Sequence, residues 1–406
     1  MSNTTLTADI IAKAAIAVLD NQLVMAKKVF RGYEEEFTKK INGYNVGESI
    51  SVRRPTDFTV RDGAVMDLQD VVEGKFTLSV DKQKGIDFSF TSSDLTLQIK
   101  ELSKRVLEPA MVQLANQIDT DLMALYKDIP SWVGTAGQTI NSYTDFAKGP
   151  ERMDEYSNPE TGRCAVLSPA DHWGLLGSQT ALYIQDAAKG AYRKGSLGMI
   201  GGVDTYMAQG VPTHTVGSDV TTVTINQALT TSTTTYASVK DTNTQTITVA
   251  GGNVKAGDVF TIADVNAVNP VTKADLGFLK QFVVTADGTT SLVISPALVW
   301  TGAFKNVAVT AGVTDLNGKT MTFVGTASTG YRQNMVFTEG AFALVMVPMV
   351  EPPGAPEVSR QSYKGLNVRV IPVYDGTNDV SKWRLDCLYG VKTIDQRLAH
   401  RLSGTA

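Results

Sequence analysis

Apolar residues recur at three- and four-residue spacing in two long stretches of this chain and at alternate positions in most of the rest. The first helical stretch is 7–37. Thr7 is its candidate N-cap, Asp9 stands in the first turn where the helix dipole favours a carboxylate, and Ile11, Ala15, Val18 and Leu19 share one face. It predicts an amphipathic arm of about 30 residues, with two uses open: covering a core of its own chain or of a neighbour. The second runs from Ser93 or Asp94 to about Tyr126 and carries Leu102, Val106, Leu107, Met111, Leu114, Ile118, Leu122 and Leu125. Pro109 should kink or divide it. Unbroken, the element would be roughly 45–50 Å long, unusual for a helix in a compact domain.

Between the helices lie three alternating runs: Ile50/Val52, Phe76/Leu78/Val80 and Ile86/Phe88/Phe90. A charged, glycine-containing stretch, from Arg61-Asp62-Gly63 to Glu73-Gly74, separates the first two. The pattern predicts a long two-stranded hairpin, 49–60 against 75–90. An isolated ribbon of that kind is marginal in water, so it needs a surface to lie on, and the charged tip suggests a polar one. Whether that surface is its own domain or another subunit is open at this point.

A short strand, 163–167, is followed by the helix start Ser168-Pro169-Ala170-Asp171, then by a segment rich in small and charged residues, 189–198, and a strand after Gly202. At about Ser218 the composition changes: from there to Gly330 there is no arginine and no glutamate. Short alternating runs recur at 223/225, 247/249, 260/262, 282/284, 292/294, 307/309 and 321/323, divided by turns such as Gly251-Gly252 and Asn317-Gly318. This predicts a self-contained β-barrel or sandwich inserted into the chain, which requires an acceptor loop with adjacent ends. After Tyr331 come a continuous apolar run, 341–350, and two alternating ones at 366–370 and 383–387, so the chain closes in a sheet, with 395–402 as a charged tail. Asp375-Gly376-Thr377-Asn378-Asp379 reads as a turn, since it lacks the later glutamate of a calcium loop.

Net charge is −4, with 37 Lys+Arg against 41 Asp+Glu, too balanced for a protein whose main task is coating nucleic acid. Cys164 and Cys387 make no disulfide framework and are expected to be buried, reduced thiols. No run is long enough to cross a bilayer and no basic n-region precedes 14–19, so a soluble intracellular protein without membrane contact is expected. The three histidines, 172, 214 and 400, have no ligand-spaced neighbours, and His172 reads as a packing or surface residue. No phosphate loop, nucleophile elbow or zinc motif is present. Arg53-Arg54 and Lys39-Lys40 are open between phosphate contacts and ordinary solvated charge. No motif supports an enzyme, and no catalytic, metal or cofactor site is expected.

The order of elements (arm, charged-tip hairpin, long helix, sheet domain with a β-rich insertion) resembles the shell subunit of tailed bacteriophages, the HK97-type fold. The insertion makes it similar to the P22-type coat proteins, which carry an I-domain there. Val254-Lys255-Ala256-Gly257-Asp258-Val259-Phe260-Thr261-Ile262 resembles a turn and strand of that insertion, 337–345 resembles the return strand and 381–390 the closing strand. The resemblance implies an α+β HK97-like major capsid protein: arm 1–40, hairpin (E-loop) 41–91, spine helix and peripheral domain 92–162, axial domain 163–217, inserted β-domain 218–330, return strands and tail 331–406. It implies identical subunits in hexamers and pentamers of an icosahedral shell, a scaffolding protein, a portal at one vertex and non-specific contact with double-stranded DNA. In that reading arm and hairpin reach over neighbours, and Arg53, Arg54, Arg61, Asp62, Asp67, Asp70 and Glu73 are the candidate subunit contacts. No Lys–Asn crosslink can be assigned. The alternatives are an encapsulin-like nanocompartment shell protein, distinguished by particles free of nucleic acid, and a Thr-rich adhesin or tail fibre, which would need a secretion signal or repeats. A metal-free hydrolase would need a cleft with convergent carboxylates.

Overall fold

The computed structural model describes residues 8–38, 40–41, 44–45, 47–61, 63–66, 68–91, 106–179, 197–230, 234–352 and 358–405. The chain folds as two compact units, each drawn from three separated stretches: 1–50, 77–122 and 342–392 form one, and 51–76, 123–341 and 393–406 the other.

The first unit is built on the sheet that the closing apolar runs predict. Strand Val380–Thr393 pairs antiparallel with Leu366–Asp375, which pairs in turn with Ser359–Tyr363, while Phe342–Val347 joins Val380–Thr393 as well. The Asp375–Asp379 segment is the turn between the two long strands: Asp375 accepts the Thr377 N–H (3.1 Å), the Asn378 amide (3.0 Å) and the Lys382 ammonium (3.0 Å). Helix α1 (Ala8–Gln22) packs on Ser359–Tyr363 and Leu366–Asp375 of its own unit, burying Ile11, Ala12, Ala15, Ile16 and Leu19. This overturns the expectation that the leading helix reaches over a neighbour. The 30-residue helix is corrected too. It stops at Gln22 because the buried carboxylate of Asp119 takes the N–H groups of Val24 (2.7 Å) and Ala26 (3.0 Å), and because Phe30 exchanges backbone hydrogen bonds with the strand at 342–344. A short helix α2 (Glu34–Thr38) comes next.

The predicted hairpin is shorter than expected. Ser49–Arg53 pairs with Lys75–Ser79 and the ladder ends there. The second half of the run, Lys82–Thr91, turns away and pairs with Val380–Tyr389 along its whole length. Alternation was correct; the partner was not, because joining a five-stranded sheet buries more than a bare ribbon. Gly85 permits the approach, since a Cβ there would stand 2.7 Å from the Leu385 carbonyl. Most of the spine-helix expectation over 93–107 falls outside the described residues. The described helix α3 (Glu108–Met123) carries Pro109 in its first turn, where a missing N–H costs nothing, and buries Met111, Leu114, Ile118 and Leu122.

In the second unit a six-stranded sheet runs in the order Trp132–Val133, Ala399–Leu402, Asn334–Thr338, Arg163–Leu167, Val203–Met207, Met199–Ile200. Helices α4 (Tyr143–Glu155), capped by Ser142, and α5 (Pro169–Gln179) cover a core that includes Phe146, Met153, Leu167, Leu175 and Val336. The expected charged tail is thus a central strand: His400 and Arg401 are each 1% exposed. The segment 189–198 lies outside the described residues, apart from Leu197 and Gly198.

All seven alternating runs between 223 and 323 are strands of one antiparallel sheet, ordered Thr224–Ile225, Gln245–Ala250, Ser291–Ser295, Asp275–Val284, Val259–Val268, Val307–Val309, with Met321–Phe323 also on Val259–Val268. Phe260, Phe282 and Phe323 stack in its core. The chain enters through Thr213–Thr215 and leaves through Gly330–Arg332, and these two strands pair with His214 opposite Tyr331. The ends of the insertion are therefore adjacent, as an inserted module requires.

Candidate functional site

Beyond Arg53 and before Lys75 the chain runs out as a loop closed by side chains in place of a backbone ladder. The Arg53 guanidinium meets Glu73 at 2.8 Å across its base. The Gln69 amide brackets Thr59, accepting its N–H (2.9 Å) and donating to its carbonyl (2.6 Å). Arg61 donates to the carbonyls of Gly63 and Val65. The backbone N–H of Arg54 donates to Gly74 (2.8 Å), its guanidinium lies 5.9 Å from the Phe76 ring centroid, and its Nε is buried without a hydrogen-bond partner. Asp70 is exposed; Asp62 and Asp67 lie outside the described residues. The candidate contacts thus form no single cluster. Arg53 and Glu73 brace the base, and Arg61 shapes the tip.

What the loop presents outward corrects the expectation of a polar tip. Phe58, Val60, Val65, Met66, Leu68 and Val71 are all well exposed, Val60 to 97%. Six large apolar side chains on one excursion exceed the scattered singles of an ordinary surface. Counting charges had hidden them, because they alternate with Arg61, Asp70 and Glu73 instead of forming a run.

The root of the loop is fastened within the second unit: Asp57 meets Lys273 (3.4 Å) and Arg397 (3.3 Å), and the Lys75 N–H donates to Asp241 (3.0 Å). A second cluster that sequence reasoning missed sits at the stem of the insertion. His214 Nε2 lies 2.7 Å from Asp258 and Nδ1 3.0 Å from the Tyr126 hydroxyl, all three buried. Asp258 also accepts the N–H groups of Gly217 (3.1 Å) and Lys255 (2.8 Å), and Arg401 donates to the Gly257 carbonyl (2.8 Å) under the Tyr126 ring. Gly257 has φ +105°, and a Cβ there would press on the His214 ring at 3.0 Å, so the turn needs glycine. The Lys-Ala-Gly-Asp turn was the one available signal, and its partner His214 stands 44 positions away. Both cysteines are free and buried, and burial pushes the Cys387 thiol up to about 12. No group of three or more metal-ligating side chains occurs among the described residues, and no helix there is long and apolar enough to cross a membrane.

The family described as "P22 coat protein - gene protein 5" matches residues 1–399. The chain belongs to that family. It is a phage major capsid protein with the HK97-like α+β fold and an inserted I-domain, a component of the virion and of shells built from identical subunits. Family membership sets aside the nanocompartment and adhesin readings. No curated protein sequence matches the coat protein. Among solved structures it is similar to that of Mycobacterium phage Che8, with 13% identity, a TM-score of 0.49, and cover of 94% of this chain and 90% of that one. It is similar to the capsid of Helicobacter pylori bacteriophage KHP30, at 10% identity, TM-score 0.43, and cover of 88% and 84%. The CUS-3 coat protein I-domain is 28% identical over 25% of this chain and 94% of its own, with a TM-score of 0.19.

Proposed function

We propose that this subunit builds an icosahedral shell of hexamers and pentamers around double-stranded DNA, and that its action is binding without a catalytic step. The observation that carries the reading is the loop 54–74, whose exposed apolar side chains have nothing to cover them on the subunit described. Each such side chain gains roughly 1.5–3 kcal/mol when fully buried, and closure of a shell makes many modest contacts act together. The partner that fits is a second copy of the chain, with Arg53 and Glu73 holding the loop's base in register and Arg61, Asp62, Asp67 and Asp70 as further candidate contacts. The near-balanced net charge of −4 suits an interior that lets DNA slide. A scaffolding protein during assembly, a portal at one vertex and assembly in the bacterial cytoplasm belong to the same proposal, as do the domain limits 1–40, 41–91, 92–162, 163–217, 218–330 and 331–406.

Val60→Asp combined with Leu68→Asp tests it. Both positions are exposed in the subunit, so its melting temperature should hold within about a degree. Co-expressed with scaffold, the variant should stay as soluble subunits by sedimentation and electron microscopy. Normal shells from the double variant refute the loop's role.

A further inference from the structure

The second unit contains a cavity of about 330 Å³ whose lining is rich in cations: Arg54, Lys273, Lys280, Lys305 and Arg397 against the carboxylates Asp57 and Asp395. Both carboxylates are already engaged. Arg397 grips Asp395 at 2.8 Å and touches Asp57 at 3.3 Å, and Lys273 takes Asp57 at 3.4 Å. Arg54, Lys280 and Lys305 have no carboxylate within 4 Å among the described residues. Lys280 is the telling one. It is 6% exposed, and its ammonium lies 4.8 Å from the Tyr156 ring centroid and 3.4 Å from the Tyr156 hydroxyl. An ammonium has three donors, and burying it without a counter-ion is costly. One wall is aromatic, with Tyr236 and Phe304 stacked 7° from parallel, and Pro55, Pro130 and Pro270 add apolar surface.

We propose that this cavity binds a phosphate monoester of mononucleotide size, its phosphate held by Lys280, Lys305 and Arg54 and its organic group against the apolar lining. A phosphate monoester carries close to two negative charges at neutral pH and three acceptor oxygens, matching three cations that lack a carboxylate within 4 Å better than a single carboxylate would. The volume lies at the lower end of small-molecule sites. The field is positive on the far side as well. His400, which also lines the cavity, is pushed down to about 3, first by burial and then by Arg152, Lys280 and Arg163.

The test uses the purified full-length subunit at low ionic strength, with sodium phosphate, dAMP and a short DNA duplex as probes. Calorimetric titration should show saturable binding of dAMP, tighter than that of inorganic phosphate. At about ten times its dissociation constant dAMP should raise Tm by about 3 °C. Lys280→Met, which replaces the buried ammonium by an apolar chain of similar shape, and Lys305→Ala should each weaken dAMP about tenfold or more. If Lys280→Met does not fold, the half-buried Lys305 carries the comparison. Four results overturn the proposal: no saturable dAMP binding, unchanged affinity in the folded variants, an equal Tm rise with sodium chloride at matched ionic strength, or binding of the duplex alone, which would mark a polyanion surface. Binding of inorganic phosphate with dAMP excluded overturns the organic half of the assignment.

Discussion

His400 sits on strand Ala399–Leu402, and its Nε2 accepts from the Asn158 amide at 3.2 Å, which leaves the proton of the neutral ring on Nδ1. With the folded ring titrating near 3 and an unfolded histidine near 6.5, the unfolded chain binds a proton between those values that the folded one refuses. This contribution is complete above about pH 6.5 and is lost as pH falls toward 3, at up to about 1.4 kcal/mol per pH unit. Urea unfolding between pH 7.5 and 5, above most carboxylates, should show stability falling as pH falls, and His400→Gln should flatten that slope. An unchanged slope would mean the ring is not held neutral. Nothing in the sequence around His400 announces this. Arg397, His400 and Arg401 read as a charged tail because charge reports composition, not burial. Arg401 is tolerated inside because Gly257 and Gln333 accept from its guanidinium and the rings of Tyr126 and Trp132 lie beside it.

At the scale of elements, the point where α1 ends depends on one side chain. Asp119 takes two backbone N–H groups just past the end of α1, and burial raises its pKa against the pull of those hydrogen bonds. Asp119→Ala leaves two buried donors unpaired and should cost about 2–4 kcal/mol by chemical denaturation. Asp119→Asn keeps an acceptor oxygen and should lose less. Equal losses would show that the cavity matters more than the hydrogen bonds. The periodicity of 8–22 was legible because helical spacing is local: Ile11, Ala15 and Leu19 are buried as the pattern requires. The break was not legible, since its cap lies 95 positions along the chain. The same limit explains Lys82–Thr91. Alternation marks a strand, but the choice between Ser49–Arg53 and Val380–Thr393 as partner is made by tertiary packing.

For the molecule as a whole, the inserted β-module was the most legible part, because seven short alternating runs with turns between them permit few arrangements. Its core, however, also takes in Trp132, Val216 and Tyr331 from outside 218–330. A fragment of 218–330 should melt cooperatively by circular dichroism. A fragment of 212–333, which keeps Val216, Tyr331 and the paired stem, should melt several degrees higher. A disordered spectrum from both would end the idea of an autonomous insertion. The six-stranded sheet of the same unit sets a schedule for synthesis. Its second strand comes from residues 399–402, and Trp132 in the first strand bonds through its indole to Ser403, 271 positions later. At roughly 5–20 residues per second the ribosome needs about 15–55 s to cover that distance. For that interval the early strands wait with unpaired edges, so a truncated translation product lacks the piece that closes the sheet and cannot pass as a finished building block.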